Sequence, residues 1–362
     1  MIPVTKPFLP PEEEYAKLLN GVWERNWLTN NGPLVNELES KLKDFLNVKH
    51  LLYVANGTIA LQLALKSLKL EGGIITTPFS YVATTSSILW ENCKPVFVDI
   101  NSSNFCIDAT KIEDAITPNT KAILATHVFG HPCDVLAIDE IAKKHKLKVI
   151  YDAAHAFGTQ LHGKSILDFG DISTCSFHAT KLFHTIEGGC TITKDANIAS
   201  KLNLKRQFGH VGDDHLTVGV NGKNSEFHAA MGLCNLRYIN KILERRKEQW
   251  LFYQKTLEAF GNIQLLTISK DITYNYAYFP IVLSSEQQLL QLIMALKTKE
   301  VVPRRYFYPS LNTLPYILDF YPCPIAESTA KRVICLPLYH QLDQNEQSMI
   351  IDVINNELNN KN

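Results

Sequence analysis

Two residues in this chain have the types and surroundings of chemical groups. Asp152 closes the apolar run Val149-Ile150-Tyr151-Asp152, and Lys181 closes Ser176-Phe177-His178-Ala179-Thr180-Lys181. An apolar run ending in Asp puts a carboxylate at the C-terminal end of a buried strand, where open α/β sheets bind ligands. A Lys in a mostly apolar segment just past another strand is open to desolvation, which lowers its pKa and frees an amine nucleophile. A carboxylate to pair with a pyridinium nitrogen and an amine to form a Schiff base are the two protein groups that pyridoxal phosphate requires. Each residue alone has an ordinary alternative: a strand-end Asp is often a helix N-cap, and a Lys usually lies on the surface. Together they predict an enzyme that uses this cofactor.

Other residues fit around that pair. Asn56-Gly57-Thr58 sits between a strand-like and a helix-like segment. Gly57 permits close backbone approach there, and the helix start offers free N–H groups to an anion. Ser176 and Thr180 are further hydroxyl donors for the same phosphate. Tyr81, in Pro78-Phe79-Ser80-Tyr81, offers a ring to stack on the cofactor, or else a core aromatic. His155, three residues past Asp152, is placed to pack over the cofactor or bond to it, although a lone His is often only a satisfied core residue.

The elements that must position these residues follow from periodicity. Strand-like runs lie at Leu51–Ala55, Ile74–Thr77, Pro95–Asp99, Lys121–Thr126, Leu147–Tyr151, Ile172–Phe177 and Gly189–Thr193. Leu61, Ala64, Leu65 and Leu68 recur at helical spacing, and Asp134 is an N-cap for a helix through His145. Near-continuous apolar strands separated by helices predict an α/β fold with a mainly parallel sheet covered on both faces. After about residue 225 the pattern changes. Phe227, Ala230, Met231, Cys234 and Tyr238 mark a helix face that continues into Glu244-Arg245-Arg246-Lys247-Glu248. That long helical stretch leads from a large domain, residues 1–244 with an N-terminal arm, into a smaller one, 245–362. The smaller one carries strands near Ala277–Leu283 and Val333–Leu336 and helices near 286–299 and 344–358. The Asn-rich last residues are expected to fray.

The 362 residues suit two such domains, with 46% hydrophobic and 20% charged residues. Thirty-six basic residues balance thirty-six acidic ones, so no electrostatic footprint for a nucleic-acid or anionic-membrane partner is present. The start has no signal-peptide core and no apolar run reaches the ~18 residues of a membrane span. None of the eight cysteines forms a C-x-x-C pair, so no metal is expected and buried reduced thiols in a cytoplasmic protein are.

With these residues in view, the chain resembles the nucleotide-sugar aminotransferases of the DegT–StrS type, which use pyridoxal 5'-phosphate on the fold-type-I (aspartate-aminotransferase-like) architecture. The likeness runs through Trp27-Leu28-Thr29-Asn30-Asn31-Gly32-Pro33, Asn56 to Leu61, Thr77 to Thr84, Pro95 to Ile100, the Asp152 and Lys181 segments, and Gly219-Val220-Asn221-Gly222-Lys223. Tyr151 to Gly158 and Ser176 to Lys181 look most like the enzymes that aminate C4 of dTDP-4-keto-6-deoxyglucose. The resemblance implies a large three-layer α/β/α domain and a smaller C-terminal α/β domain. It implies Lys181 as the Schiff-base lysine and Asp152 as the partner of the ring nitrogen. His155 falls near the ring, Gly57, Thr58 and Ser176 at the phosphate, and Tyr81 on the ring face. Asn221 matches an asparagine that reaches the neighbouring subunit's site, which implies an obligatory homodimer. Glutamate is the implied donor and a nucleotide-linked keto sugar the acceptor. Thr29, Asn30, Asn31, Arg304, Arg305 and Tyr306 are candidates for the sugar nucleotide. Relatives that act as dehydratases carry His at the lysine position, and Lys181 argues for amino transfer. A 3-keto sugar or a UDP-linked 4-keto sugar stays open as acceptor, as does, remotely, a regulator that binds the cofactor without turnover. One departure is Asn224, where similar sequences usually have Met.

Overall fold

A computed structural model describes residues 1–359; the expected fraying of 360–362 lies outside the described residues. In chain order the principal elements are α1 (Glu12–Arg25), α2 (Pro33–Leu46), β1 (His50–Val54), α3 (Gly57–Ser67), β2 (Gly73–Thr76), α4 (Val82–Trp90) and β3 (Lys94–Phe97). Then come β4 (Thr120–Thr126), α5 (Val135–His145), β5 (Lys148–Asp152), β6 (Ile172–Ser176), β7 (Gly189–Thr193), α6 (Ala196–Lys205), α7 (Glu226–Arg237) and α8 (Ile239–Leu257). The C-terminal part adds β8 (Gln264–Leu265), β9 (Phe279–Val282), α9 (Glu286–Thr298), α10 (Pro324–Arg332), β10 (Val333–Leu336) and α11 (Gln344–Asn359).

The central sheet has seven strands in the order β1-β7-β6-β5-β4-β2-β3. Strand β7 runs antiparallel to both its neighbours, and the remaining pairs are parallel. Successive residues of a strand face opposite sides, and here both sides are apolar. Ile74, Leu124, Ile150 and Ile172 pack with Leu61, Ala64 and Leu202 of α3 and α6. Their neighbours Ile75, Ile123, Val149 and Tyr151 join the larger core on the other face, with α2 and α7. That is why these strands read as continuous apolar runs. Register brings Thr126, Asp152 and Thr174 side by side at the carboxyl ends of β4, β5 and β6.

The helical stretch after residue 225 is two helices, not one. Tyr238 breaks it, with φ −100° and ψ 0°. Its phenol bonds the Glu14 carboxylate and its ring packs on Phe8 at 5.3 Å, so contacts from the N-terminal segment hold the break. A second sheet, β8-β9-β10, lies in the C-terminal part. Ile2–Pro3 pairs in parallel with Val301–Val302, which ties the start of the chain to that part. Asp99 ties the two parts again, because its carboxylate accepts from the Ile325 and Ala326 N–H groups at the start of α10, at 3.0 and 2.9 Å. Among the described residues no helix is long and apolar enough to cross a membrane, and all eight cysteines are buried free thiols.

Candidate active site

Asp152 is buried where β5 ends. Its Oδ2 accepts from Thr84 Oγ1 at 2.6 Å, and its Oδ1 from the Ala154 N–H at 3.1 Å. Burial pushes its pKa up, while these two donors and the charge on Lys181 oppose the rise. Thr84 has a single hydroxyl proton and gives it to Asp152, so it accepts from Ser80 Oγ at 2.7 Å. Ser80 in turn accepts from Thr126 Oγ1 at 3.1 Å. Three buried hydroxyls thus donate in one direction, Thr126 to Ser80 to Thr84 to the carboxylate. Ser80, just before α4, meets Thr84 in the first turn of that helix.

Lys181 follows β6 in a tight turn, its N–H donating to the His178 carbonyl at 2.8 Å. Its Nζ lies 3.5 Å from Tyr278 Oη. Burial holds its pKa down; the phenol of Tyr306 and the carboxylate of Asp152 work against that. His155 is buried, its ring parallel to Phe307 at 5.5 Å and 4.7 Å from Tyr278. Burial, helped by the charge on Lys181, keeps its pKa well below the usual imidazole range, so the ring is neutral. Its Nδ1 is buried with no hydrogen-bond partner among the described residues.

At the other end, Asn56 caps α3, its Oδ1 accepting from the Ile59 N–H at 2.9 Å. The first N–H groups of a helix have no intrahelical acceptor and favour an anion. Ser176 crowds this turn: a Cβ on Gly57 would lie 2.9 Å from Ser176 Cβ. Only glycine lets the turn and the strand end come this close. Asn56-Gly57-Thr58, Tyr81, Asp152, His155, Ser176 and Lys181 all line one cavity of about 380 Å³. Arg304 and Tyr306 line it from the C-terminal part, the guanidinium 4.7 Å over the Tyr306 ring.

Residues 11–355 match the family described as the DegT/DnrJ/EryC1/StrS aminotransferase family. The chain belongs to that family. It is 40% identical over 357 residues to a dTDP-4-amino-4,6-dideoxy-D-glucose transaminase of Shigella dysenteriae, covering 97% of each chain. A transaminase of the same name from Escherichia coli is 41% identical, with 95% of each chain covered. Among solved structures, DesI, crystallised in the presence of its TDP-sugar product, superposes with a TM-score of 0.94 at 28% identity, over 99% of this chain and 94% of that one. The α/β fold with a mainly parallel sheet is therefore that of known sugar aminotransferases.

Within this aminotransferase chain, five of the residues named from sequence lie away from the cavity lining. Arg305 pairs with Glu286 at 2.7 Å, donates to the Lys331 carbonyl at 3.1 Å and stacks on Tyr308. Thr29 and Asn31 use their carbonyls to accept from Trp27 Nε1 and Asn36 Nδ2. Asn30 and Asn31 are left-handed, φ 61° and 56°, at the turn into α2. Asn221 is exposed, bridges to Gln207 and accepts from Lys223 Nζ at 2.8 Å. Conversely, the sequence reading did not single out Ser80, Thr84 or Thr126 as site residues, nor the cavity-lining Glu187 and Phe307. The i, i+4 spacing of Ser80 and Thr84 just past Pro78 was the available signal for two of them.

Proposed function

We propose that this chain transfers an amino group from glutamate to C4 of a nucleotide-linked 4-keto-6-deoxyhexose, with dTDP-4-keto-6-deoxyglucose as acceptor and pyridoxal 5'-phosphate as cofactor. The observation that carries the reading is one cavity holding a buried carboxylate, a deprotonation-prone lysine and an anion cradle. The 40% identity to dTDP-4-amino-4,6-dideoxy-D-glucose transaminase supports the acceptor. The residues fit the cofactor. A Cβ would fill the Gly57 cradle, which would then have no room for phosphate, and His155 has a buried nitrogen still lacking a partner.

When bound, pyridoxal phosphate supplies an aromatic electron sink that carries the amino group between donor and acceptor. Gly57 and Thr58 N–H groups with Ser176 Oγ hold its phosphate. Asp152, whose ionised form Thr84 and the Ala154 N–H stabilise against burial, would hold a proton on the ring nitrogen. The hydroxyl relay matters because burial alone would favour the neutral acid, which cannot do this. Neutral His155 and exposed Tyr81 line the cavity and would pack against the ring. Lys181, whose pKa burial lowers, would in its amine form take a proton from the donor carbon and return one to the acceptor carbon. Arg304 and Tyr306 receive the nucleotide diphosphate, and Asn221 serves the site of a second copy in a homodimer. The units 1–244 and 245–362 would enclose the substrate between them.

The test is NMR of the product formed from dTDP-4-keto-6-deoxyglucose, glutamate and purified enzyme. An amine at C4 supports the reading, and the ring couplings give its stereochemistry. Cofactor binding and glutamate turnover without a product would retain the aminotransferase and replace the acceptor, a 3-keto or UDP-linked 4-keto sugar being next.

A further inference from the structure

At the edge of the same cavity, the loop Thr185–Gly188 is held far more firmly than its exposure requires. Ile186 has φ 68°, a left-handed conformation that costs a β-branched residue energy and persists only where the surroundings impose it. What imposes it converges on the next carbonyl. Glu187 O accepts from Thr185 Oγ1 at 2.8 Å, from Asn224 Nδ2 at 2.9 Å and from Tyr53 Oη at 3.5 Å. Asn224 is buried and fully engaged: its Nδ2 also donates to Tyr53 Oη at 3.0 Å, and its Oδ1 accepts from the Ser225 N–H at 2.8 Å. A Cβ on Gly188 would lie 2.1 Å from Thr185 Oγ1 and 2.9 Å from the Tyr53 ring, so the chain closes tightly behind.

The loop delivers the Glu187 carboxylate to the cavity wall. Its Oε1 lies 3.5 Å from His178 Nε2. The Thr180 N–H donates to His178 Nδ1 at 3.2 Å, so Nε2 carries the proton that faces the carboxylate. One carboxylate oxygen is thereby directed to His178, and the other is left for a ligand.

A carboxylate is an odd choice for this wall. The cofactor phosphate, the nucleotide diphosphate and both ends of glutamate are anions that it repels. The hydroxyls of the hexose ring are neutral hydrogen-bond donors that such a carboxylate accepts from without repulsion. We propose that Glu187 is a specificity residue that accepts a hydrogen bond from a ring hydroxyl of the keto sugar, and that Asn224 is the positioning residue that aims it. The inference rests on the proposed function. It also accounts for Asn224, the one departure the sequence showed: the amide makes hydrogen bonds that a methionine cannot.

The test separates the two half-reactions of the loaded enzyme, since only the second uses the sugar. For Glu187→Ala, kcat/KM for dTDP-4-keto-6-deoxyglucose is expected to fall on the order of 10–100-fold, mainly through KM, because a site built to bond a hydroxyl loses much when the bond goes. The glutamate half-reaction should stay within about twofold. Glu187→Gln, which keeps a neutral acceptor, should recover part of the loss. Asn224→Met should move the sugar KM in the same direction by about 3–10-fold and spare glutamate. An unchanged sugar KM in Glu187→Ala, or an equal loss in both half-reactions, overturns the proposal. Absence of the glutamate half-reaction in the unaltered enzyme overturns it together with the proposed function.

Discussion

Replacing Thr84 by Val removes one hydroxyl donor from the Asp152 carboxylate and, with it, the acceptor of the Ser80 hydroxyl. Valine has the shape of threonine, and Thr84 is buried, so the packing of α4 is preserved. The lost contact is a 2.6 Å hydrogen bond to a buried charge. Such bonds contribute about 1.5–3 kcal/mol, more than neutral ones. At ~1.4 kcal/mol per factor of ten, the balance between ionised and neutral Asp152 shifts about 10–150-fold toward the neutral acid. The sign follows: burial already raises this pKa and losing a donor raises it further, while the proposed mechanism requires the ionised form. Activity is therefore lost as pH falls, and lost sooner in the variant. The assay is kcat/KM against pH for the unaltered enzyme, Thr84→Val and Thr84→Ser. We expect near-normal activity at high pH, a loss of roughly tenfold or more on the acid side, and recovery in Thr84→Ser, which keeps the donor. Superimposable profiles for all three would refute the role given to the relay. So would an equal loss at every pH.

Other outcomes follow from the same geometry. Gly57→Ala, with its Cβ 2.9 Å from Ser176 Cβ, should weaken cofactor binding by about tenfold or more in an equilibrium titration, through the displaced anion cradle. Lys181 has a lowered pKa in the folded protein, so between that value and the ordinary ~10.4 the unfolded chain binds the extra proton and stability rises with pH. Cofactor-free Lys181→Met should therefore show a higher urea midpoint than the unaltered chain at pH 7, with the gap narrowing at about pH 9.5. Glu226, fully buried, accepts from the Leu34 and Val35 N–H groups at 3.0 and 2.9 Å and so caps α2. Glu226→Ala should cost about 3 kcal/mol in urea unfolding, because two buried donors lose their acceptor. Arg304→Gln should raise the sugar-nucleotide KM about tenfold or more, while Arg305→Gln should leave it unchanged, since Arg305 is held by Glu286.

The strands of the main sheet were legible in the sequence to within a residue or two, because strands buried on both faces leave continuous apolar runs such as Ala122–Ala125 and Val149–Tyr151. Helix α5 was legible for a local reason: Asp134 caps it through the Ala137 N–H, three residues on. Helices α1 and α2 were not read, although Pro33 at the start of α2 and Leu34, Leu38, Leu42 and Leu46 at helical spacing were there to find. The break at Tyr238 had no local signal, since Glu14 and Phe8, which hold it, are more than 200 residues away in the chain.

The candidate groups of the site were legible in the sequence by itself. Asp152 at a strand end, Lys181 past the next strand and Gly57 at a strand–helix turn have their type and local element set by nearby residues, and all three line one cavity. Only the tertiary structure decided how those groups are tuned and which neighbours serve them. Thr84 meets Asp152 across 68 residues of chain, and Arg304 lines the cavity while Arg305 turns to Glu286. Asn224 grips the Glu187 carbonyl across 37 residues. Residue type and spacing express what a side chain can do and which element carries it. Distances between elements, and the burial that shifts a pKa, arise only when the sheet closes around them.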